Sequence, residues 1–301
     1  MLRSVDPTKE CSTIARLRGE VVCQLTEECG ARGTSTDLAI KAHDDQKRTA
    51  IPSEYERFAS VFSDEESQRF PPPRPWDHAI ELKPDAPSHL RCKVYPMTRE
   101  EDKVLNAFID EQLLKGYIEP SKSPYASPFF FVKKKDRKLR PVQDYRALNS
   151  WTVKNQYPLP LIPILIHDLG GAFVYSKLDV RWGYNNIRIK EGDEWKAAFK
   201  TKRGLHQPKV MFFGMSNSPP TFQSFMDDIY YATINKHEAR GTIIRIYMDD
   251  IGIATKVLSL QAHIDAVSDV LRVAQEHSLY FKPEKCTFHV PSMEYLGLIL
   301  E

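Results

Sequence analysis

A pair of adjacent acidic residues between two apolar segments constrains this chain more than any other feature. Asp249 and Asp250 lie between the segments 243–246 and 251–255, which are rich in isoleucine. β-Branched residues favour strands, and Asp tolerates the backbone dihedral angles of tight turns. The pattern therefore predicts a β-hairpin that carries both carboxylates at its tip.

Two neighbouring carboxylates repel each other, so a cation is the natural reason to keep both. Ligands that are all oxygen suit a hard ion such as Mg²⁺, which is commonly held by one or two carboxylates together with substrate phosphates. An exposed polar turn is the alternative, and for an isolated Asp-Asp pair it is the more common one.

Length and composition are those of an ordinary globular protein. The 301 residues, 42% hydrophobic and 27% charged, predict one large or two ordinary domains. The net charge of +2 neither indicates nor excludes a nucleic-acid partner, because a balanced total can hide a local basic patch. The five cysteines are odd in number and form no C-x-x-C pair, which argues against a disulfide framework or a zinc site. With no secretory segment and no apolar run of bilayer length, we expect an intracellular protein, in cytoplasm or nucleus, without a membrane partner.

The N-terminal third divides by composition. Residues 1–50 are polar and mixed in charge, and we expect a poorly ordered tail. Residues 51–97 are expected to form a short helix, opened by a capping box of Ser53 and Glu56, and then a proline-rich linker. The apolar face of this short helix is predicted to comprise Tyr55, Phe58, Val61 and Phe62.

A helix and a basic hairpin are predicted next. Thr98 and Glu101 form a second capping box, and Gly116 is placed to end the helix. The segments 129–132 and 139–145 are predicted to pair as strands, with seven Lys and Arg residues on and beside them. A solvated hairpin tip explains such charge about as well as a phosphate site, although the interleaved aromatic residues favour nucleic acid or nucleotide phosphate.

The remaining pattern alternates strands and helices. Helices are predicted to start at Ser218 and Ser259. Strands are predicted at 173–180, around 195–199, at 210–213, around 280–281 and at 295–300. This order indicates an α+β fold, an antiparallel sheet of split βαβ type backed by helices.

Six segments, in this order, resemble the polymerase region of reverse transcriptases from gypsy-like long-terminal-repeat retrotransposons. Each is weak alone, but six at compatible spacing are strong evidence, and the resemblance covers roughly residues 75–301. The six segments are 139–149, 176–179, 212–219, 247–250, 282–286 and 295–297.

The resemblance implies a right-hand polymerase fold of fingers and palm over residues 98–301. Fingers are expected at about 98–172 and 187–210, and palm at about 173–186 and 211–301. A thumb is expected to be absent, as are the ribonuclease H, integrase and protease regions of the polyprotein.

The implied function is RNA-directed DNA polymerisation, the template-directed transfer of a nucleotide from a dNTP to a primer 3′-hydroxyl. Asp179, Asp249 and Asp250 are the implied catalytic residues and ligands of two Mg²⁺ ions, for which Mn²⁺ could substitute. The implied partners are an RNA or DNA template, a DNA or RNA primer, and dNTPs.

Four residues match the family's dNTP-binding positions. Lys134 and Arg140 resemble residues that grip the triphosphate, and Tyr184 resembles the aromatic residue that blocks a ribose 2′-hydroxyl. Gly214 would let the backbone approach the nucleotide closely. The alternative for Lys134 and Arg140 is solvated surface charge. For Tyr184 it is core packing, and for Gly214 it is an ordinary turn.

The last two implied sites lie near the end of the sequence. Lys285 matches a lysine proposed in the family to donate a proton to pyrophosphate, although a solvated lysine is commoner. Tyr295, Leu296 and Gly297 resemble the primer grip, although the apolar residues would also serve in a core.

Two other functions stay open at this stage. One is a truncated, non-catalytic retroelement remnant that folds and binds nucleic acid. The other is a different metal-dependent phosphoryl-transfer protein, which fits the carboxylates but not the order of segments. Trp182, the Asn185-Asn186 pair and Gly252 depart from the family pattern, but none of them replaces a carboxylate.

Overall fold

The computed structural model describes residues 51–133 and 139–301, so the predicted tail at 1–50 lies outside the described residues. The first element is a 3₁₀-helix, Ser53–Phe62. Ser53 lies inside this helix and Pro52 occupies the N-cap position without a side-chain hydrogen bond, so the capping box predicted here is wrong. The four apolar residues predicted to share a face are all buried.

Five α-helices follow within the described residues, and two of them begin at side-chain caps predicted from the sequence. Thr98 and Glu101 form both hydrogen bonds of the predicted capping box, and Gly116 follows the helix with a φ of +69°. The Ser259 side chain accepts a hydrogen bond from the Ala262 N–H, as an N-cap does. The helices are α1 (Arg99–Leu114), α2 (Arg146–Trp151), α3 (Ile162–Leu169), α4 (Ser218–Glu238) and α5 (Leu260–Glu276).

The first sheet has five strands in the order β1-β6-β5-β2-β3. Its pairs are antiparallel except β2 with β5. The predicted basic hairpin is formed, with Phe131 opposite Pro141. These strands are β1 (Ile118–Pro120), β2 (Ser127–Lys133), β3 (Leu139–Gln143), β5 (Phe199–Thr201) and β6 (Gly204–Pro208).

The second sheet has four antiparallel strands in the order β7-β8-β4-β9. The predicted isoleucine hairpin forms strands β7 and β8, and the predicted strand ending in Asp179 becomes β4, in the interior of the sheet. The strands are β4 (Val174–Asp179), β7 (Thr242–Tyr247), β8 (Asp250–Thr255) and β9 (Thr287–Val290). Strands β10 (Met293–Tyr295) and β11 (Leu298–Leu300) form a separate hairpin.

The two faces of the second sheet bury different cores. Alternate residues such as Leu178, Ile251 and Ile253 pack against α4 and α5 in the larger core. On the opposite face, Tyr175 and Ala254 pack with α3 and the β10–β11 hairpin in a smaller core. The period of two along each strand puts the tip residue Asp250 on the face of the smaller core, because Asp250 and Ala254 are four positions apart.

Three short strand predictions are wrong. Residues 194–197 form a 3₁₀-helix, so only Phe199 of the predicted 195–199 strand lies in a strand. Val210 makes only an isolated bridge to Arg188, and Phe281 only one to Val180. Short apolar runs are buried equally well in turns and in strands, so their composition could not distinguish the two.

The predicted strand at 295–300 is two strands joined by a tight turn. Leu296 and Gly297 form the turn, with φ of +50° and +83°, and Tyr295 pairs with Leu298. Positive φ at both central residues is typical of a type I′ turn.

Residues 51–97 contact the second sheet and its helices at several points. The Tyr55 hydroxyl lies 2.6 Å from His289 Nε2, and Trp76 Nε1 donates to Asp228 on α4 at 2.6 Å. Arg74 donates to the Asn186 carbonyl at 3.3 Å. This segment therefore supplies part of the core rather than only a connection.

In the part of the chain that the structure describes, no helix is both long enough and apolar enough to cross a membrane.

Candidate active site

The tip of the β7–β8 hairpin is a two-residue turn of strained backbone. Tyr247 pairs with Asp250, which leaves Met248 and Asp249 in the loop. Met248 has a φ of +57°, a value that non-glycine residues rarely adopt, whereas Asp249 does not have positive φ. The sequence pattern predicts the turn from the tolerance of Asp, but the left-handed residue is the methionine. Such a conformation persists only where surrounding contacts hold it, and here the Met248 N–H donates to the Gln223 side-chain oxygen at 2.8 Å.

Sheet register brings the carboxylates together. Asp179, the last residue of β4, is the direct cross-strand partner of Asp250, the first residue of β8. Asp249 is held beside them because its carbonyl accepts a hydrogen bond from the Val180 N–H at 2.8 Å. Burial raises the pKa of Asp249, and the charges of Asp250 and Asp179 raise it further. The three residues predicted to act together are therefore close enough to influence one another.

Lysines face these carboxylates. Lys282 Nζ donates to one oxygen of Asp179 and Lys285 Nζ to the other, both at 3.1 Å. Lys177 Nζ lies 3.0 Å from Asp250 Oδ1, an ion-pair distance. Burial would lower the pKa of Lys285, but its bond to Asp179 and the charges of the three aspartates outweigh burial and raise it.

The carboxylates suit a divalent cation chemically, but the lysines occupy them. All donors are hard oxygens, and the buried Asp250 Oδ1 faces the Lys177 ammonium at 3.0 Å without a well-oriented hydrogen bond. Within residues 51–133 and 139–301, however, no three His, Cys, Asp or Glu side chains are arranged to hold one ion as they stand. Because both oxygens of Asp179 are bonded to lysine, Lys282 and Lys285 compete with a metal for that carboxylate.

An aromatic wall adjoins the carboxylates. The Tyr184 ring packs edge-on against Phe213, with ring centroids 4.9 Å apart, and against Phe222 at 5.8 Å. The Arg140 guanidinium lies 4.1 Å above the Phe213 ring, a cation–π contact. Burial raises the pKa of Tyr184 to about 12, and the charge of Asp249 contributes. Two predicted residues, Arg140 and Tyr184, are thus joined through Phe213.

Glycine is required at position 214 by the backbone conformation and by the closeness of neighbouring atoms. Its φ is +102°, and a Cβ there would lie 3.1 Å from the carbonyl oxygen of Gln143. The Asn149 side chain donates to the Gly214 carbonyl at 2.8 Å, which fixes the peptide. The turn therefore holds the chain beside β3.

The other predicted site residues are placed differently. Lys134 lies outside the described residues. Tyr295 is fully buried, whereas Leu296 and Gly297 form the turn of the β10–β11 hairpin. The sequence analysis assigned no role to Phe213, Lys177 and Lys282, although all three lie in segments that carry the resemblance, because their contacts depend on the sheet register and the packing.

The residues that depart from the family pattern are accommodated locally. Trp182 is exposed, has a φ of +55°, and its ring lies 5.3 Å from Lys115 Nζ. Asn185 donates to the Met211 carbonyl at 3.1 Å, and Asn186 to the Arg181 carbonyl at 2.9 Å. The two amides thereby bond the 3₁₀-helix Gly183–Asn186 to Met211 and Arg181.

Comparison with known proteins assigns the class. Residues 132–300 match the family model described as "Reverse transcriptase (RNA-dependent DNA polymerase)". Because this match covers more than half of the chain, the protein belongs to the reverse transcriptase family.

Curated relatives are retrotransposon polyproteins. The Tf2-3 polyprotein of Schizosaccharomyces pombe is 33% identical over 252 residues, covering 83% of this chain and 18% of that polyprotein. The Tf2-7 polyprotein of the same organism is 32% identical over 252 residues, with the same coverage. The chain thus spans less than a fifth of the length of these relatives.

Solved structures share the fold. A foamy viral protease-reverse transcriptase in complex with an RNA/DNA hybrid matches with a TM-score of 0.72 and 20% identity, covering 90% of this chain and 36% of that one. A second foamy viral structure, in complex with double-stranded DNA, gives a TM-score of 0.73 at 20% identity, covering 90% of this chain and 48% of that one. The fold is therefore that of reverse transcriptase fingers and palm.

Proposed function

We propose that this chain catalyses RNA-directed DNA polymerisation as part of a retrotransposon polyprotein, adding dNTPs to a primer 3′-hydroxyl. The observation that carries the proposal is the cross-strand pairing of Asp179 with Asp250, with Asp249 held beside them at the strained tip. Template, primer and dNTPs are the corresponding partners.

The two sheets support an assignment to separate fingers and palm regions. Strands β1, β2, β3, β5 and β6 fall within residues 98–172 and 187–210, the proposed fingers. Strands β4, β7, β8 and β9 fall within 173–186 and 211–301, the proposed palm. The dNTP would then lie between the Arg140 hairpin and the carboxylates.

Asp179, Asp249 and Asp250 would hold two divalent cations, Mg²⁺ or alternatively Mn²⁺. When bound, such ions stabilise negative charge on the attacking and leaving oxygens of the transfer. The raised pKa of Asp249 supports this assignment, because like charges crowd its carboxylate and a bound cation would relieve their repulsion.

The surrounding residues have separate tasks in this proposal. Arg140 binds triphosphate oxygens, with its guanidinium held by the Phe213 ring. Tyr184 excludes a ribose 2′-hydroxyl, because Phe213 and Phe222 fix its ring on two sides. Lys285 carries a proton at Nζ within reach of Asp179, which suits a donor to leaving pyrophosphate.

Primer extension tests the proposal. The chain is incubated with a poly(rA) template, an oligo(dT) primer, dTTP and Mg²⁺, beside Asp249→Asn and a control, Asp265→Asn, whose carboxylate is exposed on α5. We expect extension by the parent and by Asp265→Asn, and a loss of at least a hundredfold in Asp249→Asn. Equal extension by all three proteins would contradict the proposal.

The bonding of Asp179 to two lysines favours a second candidate, a non-catalytic remnant that binds nucleic acid. It predicts no extension by folded parent protein, together with binding of an RNA/DNA duplex that weakens steeply as salt rises. Fluorescence anisotropy of a labelled duplex distinguishes the two candidates.

A further inference from the structure

Gly252 lies in the middle of β8, where its backbone gives no reason for glycine. It is absent from the residues with positive φ, and Ile251 and Ile253 on either side are ordinary strand residues. Space is the reason instead. A Cβ on Gly252 would lie 2.9 Å from Leu169 Cδ1 and 3.1 Å from Tyr295 Cε2, closer than side chains normally approach. The missing side chain thus forms a slot for the Tyr295 ring.

The slot lies on the face of the sheet that carries Asp250. Gly252 is two positions from Asp250, so the two residues face the same side of β8. Its cross-strand partners are Lys177 on β4 and Arg245 on β7. The Tyr295 ring therefore lies over the middle strand of three, next to the strand end that carries the carboxylate.

The hydroxyl of Tyr295 contacts both strands of the carboxylate hairpin. It lies 3.3 Å from the Arg245 carbonyl on β7 and 3.3 Å from the Asp250 carbonyl on β8. Tyr295 is fully buried, so water does not compete for this hydrogen bond. The ring also lies 6.0 Å from Lys177 Nζ, the cation paired with Asp250.

We propose that Tyr295 is a positioning residue for Asp250, and that Gly252 is the slot that admits its ring. Tyr295 fixes the backbone of Asp250 through its hydroxyl and limits the movement of Lys177 through its ring. The proposal rests on the proposed function, because it concerns the orientation of a carboxylate that would bind a metal ion. It also gives Tyr295 a role different from that of its neighbours Leu296 and Gly297, which form the turn.

The chain contains a matched control. Tyr175 is also fully buried in the smaller core, but its hydroxyl accepts a hydrogen bond from the Ala172 N–H at 2.9 Å, away from the carboxylates. Tyr175→Phe and Tyr295→Phe thus remove the same atom from the same core. Only Tyr295→Phe is expected to alter the site.

The first experiment measures Mn²⁺ binding by electron paramagnetic resonance of the free ion. We expect Tyr295→Phe to weaken binding about three- to tenfold, the effect of one buried hydrogen bond, and Tyr175→Phe to leave it unchanged. Gly252→Ala should weaken binding at least as much, because the methyl group displaces the ring. Adding Gly252→Ala to Tyr295→Leu should cause a smaller loss than Gly252→Ala causes in the parent, because the contact with the ring is gone and only the contact with Leu169 remains.

Parent-like binding by Tyr295→Phe, or an equal loss in Tyr175→Phe, would overturn the proposal. A parent protein that binds no Mn²⁺ counts against the proposed function instead. In that case amide hydrogen exchange, which needs no metal, decides the positioning role. Faster exchange at Asp250 and Ile251 in Tyr295→Phe than in Tyr175→Phe supports it, and equal exchange refutes it.

Discussion

At the scale of single residues, the site consists of charges that burial and like charges oppose or that lysines neutralise. Asp249 is partly buried beside Asp250 and Asp179, and its pKa is raised. Asp179 is bonded to two lysines, and Oδ1 of Asp250 pairs with Lys177. Stability and function therefore make opposite demands on these positions.

Asp249→Asn should stabilise the metal-free protein while abolishing primer extension. The amide removes a negative charge that burial and two like charges disfavour at neutral pH. We expect a gain of about 1 kcal/mol, or roughly 2–4 °C in the midpoint of thermal unfolding without metal. Differential scanning calorimetry in EDTA measures it, and an unchanged or lower midpoint would contradict the electrostatic account.

Lys282→Met should strengthen Mn²⁺ binding about fivefold, because a cation that competes for Asp179 is removed. Lys282 is preferred to Lys285, whose loss would also remove the proposed proton donor. Lys202→Met is the control, since Lys202 pairs with Asp102 at 2.7 Å on a different part of the chain. Equal affinities of Lys282→Met and the parent would show that the lysine does not compete.

At the scale of elements, buried hydrogen bonds join β4, β8, β9 and α5. His263 of α5 is fully buried, with Nε2 2.7 Å from Ser176 Oγ and Nδ1 2.7 Å from Thr255 Oγ1. The His289 N–H donates to Ser176 at 3.1 Å. Burial lowers the pKa of His263 to about 3, so the folded chain holds this ring neutral.

This network predicts that the free energy of unfolding falls as the pH is lowered. Between about pH 6.5 and 3 the unfolded chain protonates this histidine and the folded chain does not, which costs about 1.4 kcal/mol per pH unit. Urea unfolding from pH 7 to 5 measures the slope. His263→Leu should remove the uptake of about one proton on unfolding and so reduce the slope by about 1.4 kcal/mol per pH unit. His167→Leu, at an exposed position, should leave the slope unchanged.

The elements predicted correctly from sequence are those with local signals. Thr98 and Ser259 mark helix starts through hydrogen bonds within one turn, and runs of apolar and β-branched residues mark β4, β7 and β8. Strand β9 and the 3₁₀-helix at 194–197 were missed because partners distant in sequence decide them. For the same reason the carboxylates could be named from the resemblance, whereas Phe213, Lys282 and the Gly252 slot required the packed structure.

At the scale of the whole molecule, residues 51–62 complete the larger core. Tyr55, Phe58 and Phe62 are buried there with residues of α5 and with Phe281. Tyr55 also packs on Phe288, with ring centroids 5.4 Å apart. Residues 51–62, which precede the predicted fingers, are thus held by contacts with α5, Phe281 and β9.

Tyr55→Ala should destabilise the protein by about 3 kcal/mol, because it leaves a cavity in the larger core. Tyr231→Ala is the control, since Tyr231 on α4 is 69% exposed and its loss should change stability by less than about 0.5 kcal/mol. Urea unfolding of both variants at pH 7 measures the difference. Similar values would show that residues 51–62 are only a connection.

The hydrogen bond between Tyr55 and His289 joins residues 234 positions apart in the sequence. A ribosome makes Tyr55 first, and at roughly 5–20 residues per second the partner emerges more than ten seconds later. Until then, the aromatic residues of this segment lack the surface that buries them. The nascent chain should therefore depend on chaperones during its synthesis, and folding should finish only after β9 has left the ribosome.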